Sequence, residues 1–436
     1  MRRYNCTYRS SGFLYPPHEL LRAATVIKKY SSKEVLFIDA VAENLSFEEV
    51  EDRIEDTPIE GFIYLAGLEN VSEEREKILR LKKRFPGIKA AAIGFYPSKF
   101  REEFTYLDAA LDGAFEERIR DALSKDGSFF QNLKNGENSV FEIEPDILDS
   151  VDRSFLKEDR YRDLFIKGKT AWLFTAFGCP YNCSFCIRTY DSKKWLPRNS
   201  DKVIQELKEL IESGYKNFRF LDDNITLNRP FLKKLKVLYK DLEMKPNLYG
   251  FSRADLIDKE LADLLKELNF KRIYIGVETF SSVKQSEYRK QLDTSYKLKT
   301  AFNELSRVGI ETAVWIIYDP DTDRLSSLPR AAWRLSRLGV SMVLMNILIP
   351  YRGTELYENR YGDKEFSEFA IRLAGPLKCG LASILFYASY ALHFLNWKSL
   401  ISYLVRFPGS FLRSALYNYA NSAGVFYIPG RRQVKK

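Results

Sequence analysis

Short β-type runs alternate with amphipathic helical patterns twice along this 436-residue chain, and that alternation restricts the fold more than any other feature. Strands separated by single helices are joined by crossovers, so they pair in parallel and carry helices on their faces. The first set comprises a helix over 17–30, a strand over 33–40 (KEVLFIDA), a helix after Ser46 with Glu48 and Glu49 in its first turn, a strand over 61–68, a charged helix near 72–85, a strand over 88–95 and a helix near 116–124. The second set has strand candidates at 170–176, 217–223, 247–252, 272–278, 311–319 and 340–350. Six β/α units suit a partial barrel, whose chemistry sits at the carboxyl ends of its strands. The fold class is therefore α/β: an N-terminal Rossmann-like parallel sheet domain over 1–125, a polar linker over 126–165, a partial (β/α)6 TIM-like barrel over 166–360 and an apolar, aromatic helical region over 361–436.

At 45% hydrophobic and 29% charged, the chain has the composition of a soluble globular protein with ample apolar material for a core. Its net charge of +9 is dispersed along the sequence, which reads as a solvated basic surface; no nucleic-acid partner is expected. The N-terminal MRRYNCTYRSSGF lacks a signal peptide's apolar core, and no apolar run is long enough to span a bilayer. The expected address is the cytoplasm. The stretch 398–421 mixes aromatics with Lys398, Arg406 and Arg413, a pattern that packs over the barrel or makes peripheral membrane contact and hints at a lipid-like substrate.

Three of the five cysteines fall within GCPYNCSFC (178–186), directly after the first barrel strand. Cys6 and Cys379 stand alone and are expected to be inert, so the count describes metal ligation in a reducing compartment rather than a disulfide framework. Thiolates from Cys179, Cys183 and Cys186, spaced C-x3-C-x2-C, can hold three irons of a 4Fe–4S cubane and leave the fourth iron open to S-adenosylmethionine (SAM). A structural zinc site is the competing reading, but zinc takes four protein ligands and no fourth Cys or His lies nearby.

GCPYNCSFC, with the aromatic Phe185 before its last cysteine, resembles the cysteine motif of the radical SAM superfamily. The resemblance covers roughly 166–360. It implies a 4Fe–4S cluster on the three cysteines, SAM on the open iron, and an electron donor such as flavodoxin or ferredoxin. It also directs attention to the ends of the later strands. In FLDDNIT (220–226), Asp222, Asp223 and Asn224 stand where acids can accept hydrogen bonds from an ammonium or ribose, with Asp222 and Asp223 as catalytic candidates. In FSRADL (251–256), Arg253 can pair bidentately with the SAM carboxylate. Glu278 in IGVETFS can contact SAM or fix a neighbour, and IPYRGTELY (349–357) resembles the segment that shapes the barrel end.

PPHELLRAA (16–24), EVLFIDA (34–40), AIGFYPS (92–98) and DGAFEE (112–117) resemble the cobalamin-binding domain of one radical SAM subgroup, covering about 1–125. Gly94 and Gly113 stand where a large cofactor would approach the backbone. The chain has only His18 and His393 and no D-x-H-x-x-G, so a histidine ligand to cobalt is not expected; His18 is expected at the surface or in packing. The function so implied is SAM cleavage followed by hydrogen abstraction from an unactivated carbon of a small-molecule or lipid-like substrate, with cobalamin-dependent C-methylation as its outcome. The alternatives are a cobalamin-independent rearrangement or cyclisation, a methylthiolation, which would need further N-terminal cysteines, and a non-catalytic iron–sulfur binding protein.

Overall fold

The computed structural model describes residues 14–67, 71–111, 113–135, 141–163, 166–187, 194–239, 245–290, 296–362 and three short helical pieces between 381 and 389. The N-terminal part runs α1 (His18–Tyr30), α2 (Ala40–Glu43), α3 (Phe47–Glu55), β1 (Gly61–Leu65), α4 (Val71–Arg84), β2 (Lys89–Ile93), α5 (Phe95–Lys99), β3 (Ala109–Ala110), α6 (Phe115–Leu123) and α7 (Phe129–Asn135). The strands pair in parallel in the order β1-β2-β3. Ala90, Ala91 and Ala92 are fully buried, their small side chains letting helices press onto the sheet. A capping box starts α3: Ser46 accepts from the Glu49 amide, while the Glu49 side chain accepts from the Ser46 amide.

Two expectations for this part are corrected. Residues 33–39 form no strand, because the run ends in local polar contacts: Asp39 caps α2 through the Ala42 amide, and its other oxygen accepts from Tyr161 Oη at 2.9 Å. Nor is 126–165 a polar linker. It contains α7 and two short 3-10 turns, and its Phe129, Phe130, Leu133, Ile147, Leu148 and Val151 are buried in one apolar core with α1, α6 and the barrel's Trp172, Tyr249 and Tyr274. Its apolar residues from 141 to 152 lie outside regular helix or strand, so no helical or strand period marks them in the sequence.

The second part runs β4 (Thr170–Leu173), β5 (Ala176–Phe177), β6 (Leu196–Pro197), α8 (Ser200–Glu212), β7 (Asn217–Phe220), α9 (Arg229–Leu238), β8 (Asn247–Ser252), α10 (Lys259–Glu267), β9 (Phe270–Glu278), α11 (Ser282–Glu287), α12 (Tyr296–Arg307), β10 (Glu311–Tyr318), α13 (Ser327–Arg337), β11 (Met342–Ile347) and α14 (Glu355–Tyr361). Six parallel strands lie in the order β11-β10-β9-β8-β7-β4, so each neighbours the next in sequence. One face of every strand packs on the helices: Phe218, Leu248, Ile273, Ile275 and Val314 are fully buried there. On the other face Arg219 is ion-paired with Asp163, donates to Tyr15 Oη at 2.7 Å and lies 4.5 Å from the Tyr274 ring centroid. This buried pair, with Tyr15 and Asp163 drawn from the N-terminal side, closes the barrel floor. Farther along this face the half-buried Phe251 and Trp315 stack at 5.3 Å, with the Phe251 ring centroid 5.5 Å from the Arg219 guanidinium.

Most of 361–436, including Cys379 and His393, lies outside the described residues, as does Cys6. Of the short pieces, Ala382 and Phe386 are buried in the barrel's helix-side core. Among the described residues no helix is long and apolar enough to cross a membrane. His18 belongs to the packing rather than the surface: it is buried with its ring edge-to-face against Phe174 at 5.2 Å, and burial with Arg22 nearby holds its pKa well below the ordinary range.

Candidate active site

The cysteine loop leaves β4 through Thr175 and is pinched at its base by the antiparallel pairs Ala176–Pro197 and Phe177–Leu196. Gly178, at φ +72°, turns the chain into Cys179, a conformation an L side chain resists. Cys179 and Cys183 are half-buried and Cys186 is exposed. The Cys186 amide donates to the Cys183 carbonyl at 3.1 Å, closing a turn around Ser184 and Phe185. The Phe185 ring meets Tyr288 edge-to-face at 5.2 Å, in a small core with Leu348 and Leu356. Ile187, one residue past the last cysteine, packs on the Ala66, Phe95 and Tyr96 cluster at the carboxyl edge of the N-terminal sheet. The carboxyl edges of the two sheets therefore meet at this loop.

Buried polar groups from the next strands face it. Arg253, after β8, holds Asp255 through two bonds of 3.0 Å, donates to the Lys290 carbonyl at 2.9 Å, and lies 3.9 Å from the ring centroid of Tyr181, between Cys179 and Cys183. Burial pulls its pKa down, but Asp255 and the nearby Cys183 more than offset this. Lys290 behaves alike: burial lowers it, while Glu278 and Cys183 raise it above the ordinary range. Its Nζ donates to Glu278 Oε1 at 3.2 Å. Glu278, at the end of β9, is held at φ +63°, a strained geometry for a residue with a side chain that costs about 1–3 kcal/mol.

The remaining candidates divide. Asn224 is buried; its Oδ1 accepts from Thr226 Oγ1 at 2.6 Å, and its buried Nδ2 has no hydrogen-bond partner among the described residues. Asp223 is half-buried beside it. The expected catalytic role of Asp222 is corrected. At 2% exposure its two oxygens accept from the Thr175 amide at 2.7 Å and the Thr175 hydroxyl at 2.5 Å, so it binds the end of β4 to β7 instead of facing a ligand. Burial pushes its pKa up to about 7. Arg253, expected to be free for a carboxylate, has its fork directed at Asp255. Gly94 is glycine for a backbone reason: φ is +131°, and a Cβ there would sit 3.3 Å from the Ala66 carbonyl. Gly113 lies half-buried in the turn before α6. Sequence reasoning missed Thr175, Gly178, Tyr181, Ser184 and Lys290. Gly178 within the cysteine segment and the i, i+2 spacing of Arg253 and Asp255 were its only readable signals.

The donor set fits a cluster better than a single ion. Three thiols come from one loop, and among the described residues no three His, Cys, Asp or Glu side chains converge on one point, as a mononuclear site requires. A cubane takes separate thiolates, one for each iron corner. The unsatisfied Asn224 Nδ2 fits an oxygen-bearing ligand such as SAM.

Together the partial barrel and its thiol loop define a SAM-cleaving iron–sulfur class of protein. Residues 173–324 match the family model described as the Radical SAM superfamily, so the chain carries a radical SAM domain, and its relatives mark it as an enzyme. An uncharacterized methyltransferase of Pyrococcus horikoshii, PH0819, is 25% identical over 373 residues, covering 80% of this chain and 79% of the relative. The hopanoid C-3 methylase of Methylococcus capsulatus is 23% identical over 48% of this chain and 41% of its own length. The fold is shared with the radical SAM methyltransferase TsrM of Kitasatospora setae, solved with cobalamin and a 4Fe–4S cluster, at TM-score 0.61 and 14% identity over 78% of this chain and 74% of that one. The cobalamin-dependent radical enzyme OxsB matches at TM-score 0.51 and 16% identity over 81% of this chain and 52% of its own.

Proposed function

We propose that this chain is a radical SAM C-methyltransferase that binds a 4Fe–4S cluster on Cys179, Cys183 and Cys186, SAM beside Asn224, Arg253, Glu278 and Lys290, and cobalamin at the carboxyl edge of β1-β2-β3. The observation that carries this reading is the thiol loop at the carboxyl end of the first barrel strand, surrounded by buried polar groups from the ends of the second, third and fourth. The cluster, when bound, supplies the electron that breaks a C–S bond of SAM and yields a carbon radical; cobalamin, when bound, carries the methyl group. The chain's own residues do the placing. Asn224 offers an amide donor to a ligand oxygen. Lys290 and Arg253 set two cations beside Cys183. Glu278 orients Lys290. The floor closed by Arg219 and Asp163 keeps water from the lower barrel.

The stacked Phe251 and Trp315 on the inner face of the barrel suit an apolar substrate, and two relatives are named hopanoid C-3 methylase and bacteriochlorophyllide d C-8(2)-methyltransferase. A flavodoxin or ferredoxin would supply electrons in the cytoplasm. We assign the cobalamin-type domain to 1–125, the packed connection to 126–165, the barrel to 166–360 and the tail, with any membrane contact, to 361–436. A second reading, cobalamin-independent radical chemistry, has one observation in its favour. Phe100, beside Phe95, reaches within 3.1 Å of where a Gly353 Cβ would stand, so aromatic side chains already fill part of the seam between the sheets. Cobalt analysis of anaerobically purified protein produced with hydroxocobalamin, together with transfer of isotopically labelled methyl from SAM, separates the two. Cobalt near one per chain with label in product supports methylation. SAM cleavage without cobalt supports the second reading.

A further inference from the structure

Ser184, between Cys183 and Phe185, is only 3% exposed, and each of its hydrogen-bonding groups is engaged. Its amide donates to the Tyr288 carbonyl at 3.1 Å, its hydroxyl donates to the Glu287 carbonyl at 2.7 Å, and its own carbonyl accepts from the Leu356 amide at 2.8 Å. Glu287 ends α11 and Tyr288 follows it, while Leu356 lies in the first turn of α14. Helix ends leave carbonyls and amides without intrahelical partners, and here one residue satisfies an α11 carboxyl end and an α14 amino end together. The two helix ends are braced without the loop. Arg360 of α14 donates to Glu287 Oε1 at 2.8 Å and to Asp319 Oδ2 at 2.8 Å, and Lys284 of α11 donates to the same Asp319 oxygen at 3.1 Å.

We propose that Ser184 is a positioning residue that fixes the cysteine loop to the α11–α14 frame before iron arrives, so that the cluster enters a preformed loop. The proposal rests on the cluster reading above for its iron readout, but not for its apo-protein readout. A hydroxyl on Cβ is required, because alanine would leave the Glu287 carbonyl without its donor and release the centre of the loop. Losing a buried hydrogen bond of this kind corresponds to about tenfold in an equilibrium or rate.

The test uses the full chain, wild type and the variants Ser184→Ala and Ser184→Thr, prepared anaerobically. Iron release from the reconstituted protein to a ferrous chelator should be about tenfold faster in Ser184→Ala and near wild type in Ser184→Thr. In iron-free wild type, amide exchange should show the Ser184 and Leu356 amides protected, and that protection should fall about tenfold in Ser184→Ala. Wild-type iron release from Ser184→Ala, or unprotected amides in iron-free wild type, overturns the proposal. Should Ser184→Ala not fold, the exchange of iron-free wild type still decides. Failure of wild type to bind iron would count against the cluster reading alone.

Discussion

Removing the charge of Asp319 should loosen the frame beneath the cysteine loop. The carboxylate follows β10 and accepts from Thr322 Oγ1 at 2.6 Å, Arg360 Nη2 at 2.8 Å, Lys284 Nζ at 3.1 Å and the Asp321 amide at 3.1 Å. Burial would raise its pKa, but the Arg360 and Thr322 bonds and the Lys284 charge overcome that and hold it at about 2, against an ordinary 3.8. A downward shift of about two units corresponds to about 2–3 kcal/mol of folding stability. Because the folded pKa is the lower one, that stability is complete above the unfolded value of 3.8 and disappears as pH falls towards 2. Asp319→Asn leaves Lys284 and Arg360 with Asp323 and Glu287 as remaining partners. The cost should therefore lie near the low end of that for breaking a buried pair, about 3 kcal/mol at pH 7. Urea unfolding of the iron-free chain from pH 7 down to pH 3 is the assay. The variant should be less stable at pH 7, and its deficit should shrink as the wild-type carboxylate protonates. An unchanged midpoint at pH 7, or a deficit independent of pH, would refute the reasoning.

At pH 4, where the folded wild-type carboxyl is neutral, Asp222→Asn should stay within about 1 kcal/mol of wild type, because an amide can accept from the Thr175 amide and donate to its hydroxyl. Asp222 has a raised folded pKa, so its contribution is complete below 3.8 and lost as pH rises through about 7; the variant should lack that decline in a pH series of unfolding midpoints. Gly178→Ala forces a side chain into φ +72° and should cost about 1–2 kcal/mol in thermal unfolding, with reduced iron loading by colorimetric assay. Arg253→Lys loses the two-bond pair with Asp255 and the planar stack on Tyr181, and should weaken SAM binding about tenfold by equilibrium dialysis.

Regular elements were legible where a single face decides burial. The strand expected over 247–252 is β8 itself, and the acidic first turn after Ser46 marks α3. Residues 33–40 misled because their apolar run looks like a strand, while Asp39 is drawn to a helix cap and Tyr161. The 126–165 segment misled in the opposite way, since isolated aromatic anchors carry no period. At the site, cysteine spacing is a one-dimensional signal and survives in sequence. The partners of Asp222 and Lys290 lie 47 and 12 residues away in the chain, and only the parallel sheet brings them into contact. Asp222 and Arg253 were readable as polar groups at strand ends, but whether they serve ligand or scaffold depends on Thr175 and Asp255, which the fold supplies.

The most direct test of the central assignment is iron and SAM turnover in one anaerobic experiment on wild type and a Cys179→Ala, Cys183→Ala, Cys186→Ala variant. The wild-type chain should bind about four irons and release 5′-deoxyadenosine from SAM under reductant, and the variant should do neither. Iron retention and SAM cleavage that persist without the three thiols would contradict the account.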